Sequence, residues 1–133
     1  MGLYAHAKGL SDKDCYNKGY ITFGVYRINV AKAYNKRLGE LYEKDYKDNK
    51  LTDEEIKEYN KLCNADLDIF LQHSDCEGKF TPEECKKIYD AMKNLKVLMQ
   101  EHNYIIMETN NMHAHWLNIF RYCYKRRVNL YFS

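Results

Sequence analysis

Thirteen consecutive residues, His73-Ser74-Asp75-Cys76-Glu77-Gly78-Lys79-Phe80-Thr81-Pro82-Glu83-Glu84-Cys85, gather side chains that could do three different kinds of chemistry. The first is calcium binding. With His73 as position one of a twelve-residue loop, Asp75 falls at three, Glu77 at five, Gly78 at six, Phe80 at eight and Glu84 at twelve, a degenerate single EF-hand. Imidazole nitrogen at position one is a poor calcium ligand, and Glu83 and Glu84 also sit where a helix N-terminus would engage them. The second is an enzyme. His73 and Asp75 could activate the Cys76 thiolate, or His73, Cys76 and Cys85 could hold a transition metal, although no fourth ligand is evident. The third is binding without catalysis, since His73, Asp75 and Glu77 beside a helix start could meet a polar partner.

A structural reading accounts for most of the same letters. Ser74, Asp75 and Gly78 form a turn, Phe80 enters the core, Thr81 caps a helix, and Cys76 and Cys85 act as small buried apolar residues.

Other clusters carry weaker signals. Arg121-Tyr122-Cys123-Tyr124-Lys125-Arg126-Arg127 interleaves cations with rings, which suits phosphates and stacked bases, but cations in the last turn of a helix also complement its dipole. Arg27 is a second candidate for anion contact. His113 and His115 lie two apart on an expected helix, so they point to different faces and do not form a metal pair. Trp116 belongs to a helical stripe and reads as core.

The elements that must position these residues follow from periodicity. Residues 2 to 8 alternate loosely and then reach Gly9, Ser11 and Asp12, a short strand ending in a turn. Val128, Leu130 and Phe132 fall on one face of a C-terminal strand, and the two terminal strands are expected to pair. Tyr20-Ile21-Thr22-Phe23 is a third strand or the entry to the first helix. From Phe23 to Tyr46, Tyr26, Val30, Tyr34, Leu38, Leu41 and Tyr42 mark an amphipathic helix, which Gly24 and Gly39 each weaken by roughly 1 kcal/mol. Thr52-Asp53-Glu54-Glu55 is a capping box opening a helix to Leu71, and Thr81-Pro82-Glu83-Glu84 opens another to about Glu101. A break near His102-Asn103 or Thr109-Asn110-Asn111 precedes a fourth helix whose stripe is Met112, Trp116, Ile119, Phe120 and Cys123. The expected fold is α+β, mainly helical, with about four helices and a small sheet in one domain spanning residues 1 to 133.

Composition bounds the rest. Among 133 residues, 45% are hydrophobic and 30% charged, which excludes a disordered chain, and no run approaches the roughly 18 apolar residues of a membrane helix. A net charge of +2 names no partner. Five cysteines without CxxC spacing argue for reduced thiols and a cytoplasmic protein. Thirteen tyrosines suit an interface or reflect nucleotide bias. Exposed strand edges and tyrosines permit a homodimer.

His-Ser-Asp-Cys-Glu-Gly followed by Pro-Glu-Glu-Cys resembles the signature of a family of small uncharacterised proteins of bacteria and their phages, whose common form is H-S-D-C-D-G with a P-E-x-C helix start. Gly2-Leu3-Tyr4-Ala5 and Phe23-Gly24-Val25-Tyr26-Arg27 are similar to that family's N-terminal strand and aromatic-Arg segment. Glu77 stands where Asp is commoner, and the Thr52 to Leu71 helix is longer than the family pattern. The sequence leaves any cofactor unknown, and the resemblance does not imply an activity. It implies a phage- or prophage-type accessory protein that binds host or defence components. The reading of the whole sequence is therefore a binding protein that engages a host protein or an anionic small ligand through His73, Asp75, Glu77 and Gly78, with Arg27 and Arg126. The rival is a metal-dependent or cysteine-based enzyme at the same loop.

Overall fold

Each of the two long helical patterns is broken by an asparagine. In the computed structural model, which describes residues 2–97, 100–101, 104–105 and 108–133, the first pattern divides into α1 (Tyr20–Tyr34) and α2 (Lys36–Tyr46). Between them Asn35 is extended and its side chain accepts the Leu38 amide at 3.0 Å. The second divides into α3 (Asp53–Leu62) and α4 (Ala65–Leu71), where Asn64 accepts the amides of Asp66 and Leu67. An asparagine that satisfies amides at a new helix start competes with continuing the old helix. Both expected capping boxes are present, Thr52 with Glu55 and Thr81 with Glu84.

The helix opened by Thr81, α5 (Pro82–Met92), ends well short of Glu101, as Asn94 favours a turn. Leu95 is partly buried beyond its end, while Met99 and the break expected at His102-Asn103 lie outside the described residues. The last helix, α6 (Glu108–Arg126), runs through Thr109-Asn110-Asn111. The described residues thus hold six helices rather than about four, within the expected mainly helical α+β class. No helix among them is long and apolar enough to cross a membrane.

The terminal strands pair as expected. β1 (Gly2–His6) runs antiparallel to the C-terminal strand, with Ala5 opposite Phe132 and His6 opposite Tyr131. Tyr20 to Phe23 is the entry to α1 and not a strand; the third strand is β2 (Tyr16–Gly19), which ends at the α1 N-cap. The loop of interest supplies β3 (Lys79–Phe80), and β4 (Gln100–Glu101) pairs antiparallel with β5 (Tyr104–Ile105) in a separate small sheet. With β6 (Leu130–Phe132), the main sheet has the order β2-β1-β6-β3, antiparallel throughout.

The sheet and helices close on a core of rings. Trp116 is fully buried, with ring centroids 4.7 Å from Tyr16, 5.3 Å from Phe23 and 5.5 Å from Phe120. Contrary to a one-sided amphipathic pattern, α1 is buried on most of its circumference, through Phe23, Tyr26, Ile28, Val30 and Ala31 and the charged Arg27. Leu38, Leu41 and Tyr42 give α2 a single buried face.

Gly39 allows α1 and α2 to approach. A Cβ there would meet the Lys32 Cα at 2.6 Å and its backbone nitrogen at 2.7 Å. Backbone cannot yield as a side chain can, so the helix propensity gained by Gly39→Ala is outweighed by overpacking. Gly39→Ala is expected to lose about 1–3 kcal/mol in urea unfolding, whereas a gain in stability would show that the two helices separate freely.

Candidate functional site

The loop after α4 is folded around His73. Its ring packs on Phe80 at 4.1 Å between centroids and edge-on to Phe132 at 4.9 Å. Nδ1 lies 2.8 Å from the Ser74 carbonyl and Nε2 3.2 Å from the Lys79 carbonyl. Gly78, at φ +93°, turns the chain beside the ring, and a Cβ there would come within 3.2 Å of Nε2. The Gly78 carbonyl then accepts the Phe132 amide at 2.9 Å, fastening the loop to β6. His73 and Gly78 therefore brace the loop from inside.

This arrangement does not assemble the catalytic or calcium geometries. Both His73 nitrogens face carbonyls, so neither is directed at the Cys76 thiol, which lies 3.5 Å from the Ser74 hydroxyl. Cys76 is exposed, not a small core residue; Cys85 is buried, where contact with the Cys123 thiol and then burial push its pKa up. Asp75 and Glu77 make no hydrogen bond or ion pair among the described residues, while Glu84 is held by the Thr81 amide at 2.9 Å. Among the described residues, no three His, Cys, Asp or Glu side chains converge as a metal site.

Arg27 is brought to the same loop from α1. It is only 7% exposed, and its guanidinium lies 4.6 Å above the Phe23 ring. Nη1 donates to three carbonyls at the end of α4, those of Phe70 at 3.3 Å, Leu71 at 3.1 Å and His73 at 2.6 Å. A helix C-terminus leaves such carbonyls without intrahelical donors and carries partial negative charge, so a cation is well placed there. The opposite edge of the guanidinium is unused. Nε is buried with no partner, and Nη2 makes no hydrogen bond among the described residues.

Arg27 and His73 line one cavity of about 190 Å³ with Tyr42, Asp45, Tyr46, Leu71 and Gln72. Tyr42, Asp45 and Gln72 also line a second cleft of about 430 Å³ between α2 and α3, together with Lys50, Leu51, Ile56, Tyr59, Asn60 and Asp68. The walls are fixed by hydrogen bonds. Tyr42 donates to the Leu71 carbonyl at 2.9 Å, and burial pushes its hydroxyl up to about 12. Tyr59 donates to Asp68 at 2.7 Å and accepts from Gln72 at 3.1 Å, and burial raises its pKa also.

The structure thus joins His73 to Arg27 and leaves the other expected site residues elsewhere. Asp75, Glu77, Gly78 and Arg126 do not line this cavity. Arg126 lies over the Tyr122 ring at 5.7 Å, and its neighbour Arg127 lines a separate cleft with Glu83, Lys86 and Tyr124. The sequence marks Tyr42 only as one residue of a helical stripe and gives no site signal at Asp45 or Gln72, whose positions on α2 and at the end of α4 look like ordinary surface. The signal that could have found them is the pair of helix-capping asparagines, since breaks at Asn35 and Asn64 fold α2, α3 and α4 around a shared cleft.

Of the two histidines on α6, His113 is buried. Its Nδ1 accepts from the Tyr26 hydroxyl at 2.8 Å and its Nε2 donates to the Met92 carbonyl at 3.2 Å, which satisfies the neutral ring. Burial lowers its pKa. The folded state then binds fewer protons than the unfolded state once pH falls below about 6.5. Stability from this group is complete above that pH and lost on acidification toward the folded pKa. His113→Gln is expected to flatten this part of the stability profile between pH 7 and 5, and an unchanged slope would assign it to other groups. His115, on another face, donates from Nε2 to the Asp14 carbonyl at 2.7 Å.

Comparison with protein-family models, with curated proteins and with solved structures finds no match to this chain. Its function is therefore argued from the cavity's own chemistry.

Proposed function

We propose that this chain is a non-enzymatic binding protein that holds a small anionic ligand, a carboxylate or a phosphate, in the Arg27–His73 cavity. The carrying observation is the guanidinium of Arg27. It is more than nine-tenths buried, has no carboxylate partner among the described residues, and keeps its Nε–Nη2 edge unused while lining a cavity. That edge has the geometry that matches carboxylate and phosphate oxygens, and a buried cation gains most from an anion because both leave water together. The resemblance of His73 to Gly78 and of Phe23 to Arg27 to the phage-protein signature supports an accessory role, in which the ligand is a host metabolite or an acidic group on a host protein.

Binding is tested by thermal shift with sodium acetate and sodium phosphate against sodium chloride at equal ionic strength. A saturable rise in Tm with either anion is expected, since a ligand bound only by the folded state stabilises it. Arg27→Lys, which keeps the charge but loses the planar fork, should remove the rise. Equal response to chloride and to both anions would reduce the effect to screening and contradict the proposal.

A further inference from the structure

The run of cations and tyrosines at the end of α6 has no part in the Arg27 cavity, and neither has the outer face of the sheet. The two meet at the end of β1. Leu3 and Ala5 of β1 and Leu130 and Phe132 of β6 are buried, so Tyr4, His6 and Tyr131 stand on the opposite face, away from the core. His6 is the direct partner of Tyr131, and residues so paired share a face. The three rings form one column. Tyr4 and His6 lie 4.9 Å apart with 20° between their planes, and His6 and Tyr131 lie 5.9 Å apart with 27°. The strands that carry them are the two central ones in the order β2-β1-β6-β3. Tyr131 ends the column, is 43% exposed, and accepts from the Asn129 amide at 3.2 Å. On its side away from His6 its direct partner is Lys79 of β3.

Further cations border the same face. The Lys8 carbonyl, two residues beyond His6, accepts from the Tyr122 hydroxyl at 2.9 Å, and the Arg126 guanidinium lies over that Tyr122 ring at 5.7 Å. The end of α6 thus brings Arg126 to the end of the strand that carries two of the rings. Two acids accompany them, Asp12, which accepts from the Tyr4 hydroxyl at 3.2 Å at the other end of the column, and Glu77, two residues before Lys79.

We infer that this face of the sheet binds single-stranded nucleic acid, with a base stacked on the open side of Tyr131 and phosphates met by Lys79, Lys8 and Arg126. Near-parallel rings have the geometry of stacked bases, so a base added at Tyr131 extends the column. Rings shown on the central strands of a four-stranded antiparallel sheet, with cations beside them, suit single strands, whose bases are free to stack. A duplex keeps its base faces covered. The inference is independent of the Arg27 cavity, which none of these residues lines.

The test is fluorescence anisotropy of the full chain with short labelled single strands of RNA and of DNA, of mixed sequence, and with the matching DNA duplex. Saturable binding of a single strand is expected, tighter than that of the duplex, and weakened by salt with a slope of about −2 in log K against log salt for three phosphates. The tighter binder of RNA and DNA names the polymer. Tyr131→Ala is expected to lose about tenfold in affinity, the effect of one stacked base, while Tyr131→Phe keeps it. Lys79→Ala, which leaves the column intact, should reduce the slope by about 0.7, and Arg37→Ala, on α2, should not change it. No binding of either strand, equal binding of the duplex, or an unchanged slope in Lys79→Ala together with unchanged affinity in Tyr131→Ala overturns the inference. Self-association in light scattering that Tyr131→Ala abolishes, with no strand bound, also overturns it and assigns the rings to a second copy of this chain. None of these results bears on the Arg27 cavity, which acetate and phosphate probe.

Discussion

Arg27→Met is expected to lose about 3 kcal/mol of unfolding free energy, although methionine keeps an apolar stem beside the Phe23 ring on which Arg27 lies. The loss comes from the end of α4. Three carbonyls accept from Nη1, and among the described residues only that of Leu71 has a second side-chain donor, the Tyr42 hydroxyl at 2.9 Å. The buried Phe70 carbonyl and the part-buried His73 carbonyl are left without this donor, and a buried acceptor so stranded costs about 1–3 kcal/mol. Relief of the buried charge offsets part of that sum, because an isolated cation is itself costly to keep from water. Denaturant unfolding checks the value, with an unchanged m showing that the comparison is between similar states. A loss below about 1 kcal/mol would mean that the carbonyls find water once the arginine is gone. Arg27→Lys should fall between the two, since an ammonium can reach some of the carbonyls but cannot fan across all three.

Trp116→Ala is the largest single loss expected in the molecule, about 3–5 kcal/mol. Its indole touches rings from β2, α1, α4 and β6 as well as its own helix, with centroids 4.7 Å from Tyr16, 5.3 Å from Phe23, 5.7 Å from Phe70 and 6.1 Å from Phe132. Alanine would leave a cavity bounded by four elements that cannot all collapse into it. The indole nitrogen has no hydrogen-bond partner among the described residues, so Trp116→Phe removes volume without breaking a bond seen there. That conservative change should cost far less, about 1–2 kcal/mol, and the gap between the two variants separates packing from polar effects. A phenylalanine variant as unstable as the alanine one would point to an indole hydrogen bond that matters.

Local features of the fold were readable. Thr52 and Glu55, or Thr81 and Glu84, lie three residues apart and need nothing distant to make a capping box, so those helix starts were legible. The terminal strand was legible because Leu130 and Phe132 are buried on one side and Tyr131 between them is exposed. Asn35 and Asn64 were passed over because the apolar stripe resumes beyond each, and a periodicity count does not register a cap inside a continuing pattern. Strand β2 was missed for another reason. Of its four residues only Tyr16 is buried, so it shows no alternation.

The candidate site was legible as a stretch but not as an arrangement. Sequence marked His73, Gly78 and Arg27 as unusual, and the structure places His73 and Arg27 on one cavity. It could not show that the imidazole is turned onto Phe80 and two carbonyls, because Phe132, which packs on its other side, is far along the chain. Nor could it show that Arg27 reaches carbonyls 43 to 46 residues away. Those contacts are set by tertiary packing of α1 against α4, and they convert a site expected among loop acids into one centred on a buried cation.

For a ligand to bind there, an anion must reach the unused edge of Arg27, whose Nε is buried without a partner, and nitrogen–proton correlation spectra of the arginine side chains test this most directly. The Arg27 Nε–Hε signal, assigned by its loss in Arg27→Lys, should shift and saturate as sodium acetate is added, while the exposed Arg37 and Arg121 signals follow ionic strength alone. A signal from Arg27 that stays fixed, or that moves only in step with the exposed arginines, would contradict the account and leave Arg27 as a clamp on α4 with no ligand.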